Sequence, residues 1–169
     1  KILNKFFSLL LLVVFYQISY AGDPPKLPIQ ALGFVKVEEV VNKGFRHVVY
    51  ARENQALSVI YNFSQSFNFK NVLMSEIKNL RNIHNQPNGD IRYYSSKKLE
   101  SMGSSFDAVL FSAFSIKEGK RFDITALSNK DNELIKIRFT SLKSNDLNDD
   151  FKNAMVISEE ILANLLQTN

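Results

Sequence analysis

The spacing of apolar residues changes along the chain, and each change marks an element. From Gly33 to Phe63 the sequence is rich in Val, Phe and Tyr, broken at Asn42-Lys43-Gly44 and again at Arg52-Glu53-Asn54-Gln55. Period-two runs bounded by such turn residues predict an antiparallel meander with strands at about 34–41, 45–51 and 56–63. Apolar residues then fall at Phe69, Val72, Leu73, Ile77, Leu80 and Ile83. That spacing puts them on one face of a helix over about 69–84. Ser66 or Asn68 can cap its start, Arg81 and His84 suit its C-terminal dipole, and Gln86-Pro87-Asn88-Gly89-Asp90 stops it.

A short strand at about 91–96 and a connector to Ser105 lead to three more strands, at about 106–116, 120–128 and 133–141. With Asn129-Lys130-Asp131-Asn132 as a hairpin turn, residues whose numbers sum to 261 face each other. Phe122 then meets Phe139, Ile124 meets Ile137 and Ala126 meets Ile135 on an apolar face. Arg121 meets Thr140, Asp123 meets Arg138 and Thr125 meets Lys136 on a wet one. A one-residue slip would set apolar side chains against charged ones. The chain closes with a helix over about 150–166, whose stripe is Phe151, Ala154, Met155, Ser158, Ile161, Leu162 and Leu165, with Asp149 and Asp150 at its start. The expected fold is α+β: an antiparallel sheet of about six to seven strands, its apolar face covered by two helices at about 69–84 and 150–166.

One further run has neither period. Phe6 to Tyr16 is apolar save for Ser8, and its eleven residues fall short of the about 20 that span a bilayer as a helix. Lys1 and Lys5 precede it, and Ser19-Tyr20-Ala21 places small residues at the two positions a signal peptidase reads. Residues 1–21 are therefore expected to be a cleaved signal peptide, 22–31 an extended Pro-rich lead-in, and 32–169 a single domain. Once the signal is removed, no membrane span is expected.

Composition follows from this division. The signal holds two of the 21 basic residues and none of the 17 acidic ones, so the mature chain carries a net charge of +2. So small and scattered an excess does not suggest nucleic-acid binding. The chain has no Cys, which removes both a disulfide framework and a lipidation site, and fits a bacterial periplasmic or secreted protein held by its core alone.

Candidate chemistry is sparse. His47 and His84 have neither cysteine nor metal-ligand spacing around them, so no metal is expected. Met102-Gly103-Ser104-Ser105 lacks the nucleophile elbow and sits before a strand, as a flexible turn would. Asp146-Leu147-Asn148-Asp149-Asp150 begins like a calcium loop, but Phe151 replaces its glycine and Ile157 its final glutamate; helix capping explains the same residues. The six glycines are dispersed singly, so no phosphate loop and no cofactor is implied. Arg92-Tyr93-Tyr94 with Lys97-Lys98 mixes basic and aromatic residues, and reads as an edge strand guarded by lysines.

The order Tyr50, Ala56-Leu57-Ser58-Val59-Ile60-Tyr61, an amphipathic helix, Phe106-Asp107-Ala108-Val109-Leu110 and Glu133-Leu134-Ile135-Lys136-Ile137-Arg138-Phe139-Thr140 resembles small exported bacterial proteins of unknown function. The layout also resembles the PsbP-like α/β/α sandwich. The resemblance implies a binding scaffold and brings no catalytic residues. The sequence thus points to an exported, non-enzymatic binding domain for a protein, an envelope component or a small ligand. The alternative is a hydrolase with a site assembled from remote Asp, Glu, Ser and His. The expected recognition surface is the wet hairpin face, Arg121, Asp123, Thr125, Lys136, Arg138 and Thr140, with Asp123 and Arg138 as an exposed ion pair.

Overall fold

The computed structural model describes residues 30–31, 33–62, 67–83, 89–116, 119–130, 133–144 and 146–167. In chain order the elements are β1 (Gln30–Ala31), β2 (Phe34–Asn42), β3 (Phe45–Arg52), β4 (Gln55–Asn62), α1 (Phe69–Ile83), β5 (Asp90–Ser95), α2 (Ser96–Glu100), β6 (Ala108–Ile116), β7 (Gly119–Lys130), β8 (Glu133–Ser144) and α3 (Leu147–Gln167). The strands make one antiparallel sheet in the order β1-β2-β3-β4-β8-β7-β6-β5. Two meanders therefore meet where β4 pairs with β8, from Gln55↔Ser141 to Asn62↔Leu134. The α+β class expected from the sequence is the class observed.

The three strands of the first meander begin and end within one residue of their expected positions. Lys43-Gly44 separates β2 from β3, and Gly44 takes φ +72°, a left-handed conformation that glycine adopts without strain. The lead-in is not wholly without structure, because Gln30 and Ala31 pair with Val35 and Phe34. The expected signal, residues 1–21, lies outside the described residues. The connector before Ser105 also holds an element the sequence reading missed, the single-turn helix α2, anchored by the buried Leu99.

The β7–β8 hairpin needs a correction. Asn129 and Lys130 continue β7 and pair with Leu134 and Glu133, so partner numbers sum to 263 rather than 261. Polar composition suggested a four-residue turn, yet the ladder accepts these residues and leaves only positions 131 and 132 between the strands. Because side chains alternate with a period of two, a two-residue shift changes every partner and no face. Phe122 sits opposite Ser141, while its ring stacks on Phe139 diagonally at 5.4 Å between centroids.

The two long helices do not share a face. Ala154, Ile157, Ile161, Leu162 and Leu165 of α3 join the main core with Phe122, Ile124, Ile137, Phe139, Val59 and Tyr50. Phe69, Val72 and Leu73 of α1 pack instead with Ala108, Leu127 and Leu134, which point to the opposite side of the sheet. A 21-residue α3 is roughly 30 Å long and already runs across the apolar face. The expected wet face carries its own apolar end, and α1 covers it.

Both helices start on side-chain caps. Asn68 Oδ1 accepts the Asn71 N–H at 3.2 Å for α1. For α3 the cap is Asp146, whose Oδ1 accepts the N–H of Asn148 at 2.8 Å and of Asp149 at 3.3 Å, so the helix begins three residues before the expected 150. No described helix is long and apolar enough to cross a membrane.

Candidate functional site

The expected recognition residues lie on β7 and β8, and four of them form one network. Asp123 stands opposite Thr140 across the ladder, with a fully buried side chain. Its carboxylate accepts from Arg121 Nε at 3.1 Å, Arg121 Nη2 at 3.3 Å, Arg138 Nη2 at 3.3 Å and Thr140 Oγ1 at 2.5 Å. The expected exposed Asp123–Arg138 pair is thus a buried carboxylate under two guanidiniums, which are 30% and 35% exposed. A charge taken out of water is tolerated only when paired and hydrogen-bonded, and here both conditions hold. Both oxygens of Asp123 are occupied, so its role is to hold two arginines in place.

The other two expected residues are arranged differently. Thr125 is buried opposite Arg138. Lys136 donates to Glu76 Oε1 of α1 at 2.6 Å, tying that helix to the sheet. Beside the network, buried Ser112 Oγ and Arg138 Nε have no hydrogen-bond partner. Arg121, Arg138 and Thr140 are the members of the Asp123 network that border solvent.

The remaining candidates have structural duties. Arg92 bonds Asp90 and lies over the Phe111 ring at 5.5 Å, while Lys98 lies over Tyr94 at 4.7 Å. Arg92 and Tyr94 lie on β5, at the sheet edge, Lys98 lies on α2 directly after it, and Asp146 is a helix cap. Among the described residues no group of three His, Cys, Asp or Glu could hold a metal ion. His84 lies outside those residues. His47 Nε2 meets Ser58 Oγ at 2.8 Å, across β3 and β4.

A second feature lies at the turn that the sequence marks only as flexible. The turn Met102-Gly103-Ser104-Ser105 is fastened to α3 by Glu159, whose Oε1 accepts the Ser104 hydroxyl at 2.6 Å and the Ser105 N–H at 2.7 Å. Between the turn and the helix runs a groove of about 560 Å³. Its signal was only partly legible: Phe151 and Met155 belonged to the helix stripe, but nothing local tied Ser104 to a glutamate 55 residues later.

With this geometry in view, comparison adds no relative: no family model matches the chain, and no curated protein matches it.

Proposed function

We propose that the chain is a non-enzymatic binding domain, exported to the periplasm or beyond after cleavage behind Ala21, that recognises an envelope or secreted partner through Arg121, Arg138 and Thr140. One observation carries the reading: two guanidiniums lean on one buried carboxylate. Two positive charges against one negative leave the patch cationic. Donors fixed on paired strands meet an acidic partner group without first being ordered.

Reversing Arg138 alone would strand Asp123 beside a new carboxylate and test stability rather than recognition. The informative protein is Arg121→Gln/Arg138→Gln/Asp123→Asn, which keeps amide hydrogen bonding and removes every charge. At low salt it should lose an envelope-fraction partner that the wild type captures, while melting cooperatively; identical partner sets refute the recognition face. Protein from the periplasmic fraction should have the mass of a chain starting at Gly22, and full-length chain in the membrane pellet would refute export with cleavage.

The hydrolase alternative has its own supporting observation, the His47–Ser58 contact. Labelling of Ser58 by a serine-directed phosphonate probe, absent in Ser58→Ala, would favour that reading.

A further inference from the structure

We propose that the groove between α3 and the turn after α2 holds the hydrocarbon chain of a small cationic amphiphile, with its amine at the Glu160 end. The site lies beside α3, on the other side of the sheet from the face that α1 covers. It is thus independent of recognition by Arg121 and Arg138.

The walls define the chain. Met102, Phe151, Met155 and Val156 line the groove, and Met102 and Val156 are 51% and 58% exposed. Side chains so open to water contribute little to the core, yet they gather at one place. Thioethers are flexible and polarisable, and adapt to an unbranched chain. A volume of about 560 Å³ lies within the roughly 300–1,000 Å³ of small-ligand pockets. A folded partner would need about 800 Å² of its surface buried, more than such a niche offers.

Backbone chemistry argues against a peptide. The N–H of Met102 bonds Leu99 O, that of Gly103 bonds Glu100 O, and that of Ser104 bonds Leu99 O. The Ser105 N–H is held by Glu159 and the Phe106 N–H by Ser104 Oγ. Every backbone N–H from Met102 to Phe106 is engaged, and the facing wall is helix. A peptide buried here would leave its carbonyls unsatisfied, at about 1–3 kcal/mol for each. A hydrocarbon chain has no such groups.

Charge sets the polarity. Lys152 lies near one end, and Glu159 and Glu160 about two helical turns further on. Two carboxylates against one ammonium favour a cationic head group, placed at the carboxylate end. Glu159 also fixes the turn, so both walls are in place before the ligand arrives.

The experiment uses the mature protein with decylamine, decanol and decanoate, each below its aggregation concentration, followed through amide chemical shifts. Decylamine should shift amides of 102–104 and 151–160 saturably and bind more tightly than decanol, with decanoate weakest. Met102→Lys/Val156→Lys, both at exposed positions, should fold normally and bind decylamine at least about tenfold more weakly, a loss of roughly 1.4 kcal/mol. Glu160→Gln should weaken decylamine and leave decanol unchanged, a split that a purely structural role would not produce. The proposal is overturned if the amine causes no saturable shifts, if the double lysine protein binds it equally well, or if decanoate binds as tightly as the amine.

Discussion

At the scale of single residues, the polar atoms that break an apolar pattern report most about the fold. Ser158 interrupts the α3 stripe, and it is buried in the main core with its hydroxyl unpartnered. An orphaned buried hydroxyl costs about 1–3 kcal/mol, and alanine is the better helix former. Ser158→Ala should therefore raise stability by about 1 kcal/mol, lifting the melting midpoint by roughly 2–4 °C in a domain of this size. Urea denaturation of the two proteins measures it, and a destabilised alanine protein would reveal a hydrogen bond at Ser158. Asp123 shows the opposite case. Its environment was not legible from alternation, which placed it on a face that was wet by composition. Burial there comes from the arginines that fold over it, and period-two patterns do not encode side-chain trajectories.

At the scale of elements, α1 is the piece whose position the sequence left open. Its own stripe was plain, and the helix was found within one residue of its expected span. Amphipathicity says that a helix must cover something, not which side of a sheet it covers. Leu127 and Leu134 held the missing signal: both alternate onto the polar face, and with Ala108 they form the apolar seat for Phe69, Val72 and Leu73. The hairpin register failed for a similar reason, since faces are protected by the hydrophobic effect while a two-residue shift keeps every face intact. The Glu76–Lys136 bridge, at 2.6 Å and with both side chains 20% exposed, reports directly on where α1 sits. A double-mutant cycle with Glu76→Gln and Lys136→Gln should give a coupling of about 0.5–1 kcal/mol that shrinks as salt rises. Zero coupling would place α1 elsewhere.

At the scale of the whole molecule, the sheet is wrapped from both sides, by α3 over the main core and by α1 over the smaller one. Its stability should show how dry the main core is. Tyr50 of β3 is almost completely buried there, and burial, reinforced by the negative charge of Glu39, pushes its phenol up to about 12 from the ordinary value near 10. A raised phenol pKa means that the folded chain keeps a proton which the unfolded chain releases. The resulting stabilisation is complete below about pH 10 and is lost as pH rises towards about 12, with a limit of roughly 2–3 kcal/mol for a shift of this size. Lysine side chains in general lose their charge over the same interval, so the raw slope does not isolate Tyr50. Comparison with Tyr50→Phe does, because that protein retains the lysines and lacks the ionising group. Unfolding free energies measured by urea from pH 9 to pH 12 should fall more steeply for the wild type, and the gap between the two curves should change mainly above about pH 10. Parallel curves would mean that the Tyr50 hydroxyl reaches water, and that the core under β3 is open where the fold has it closed.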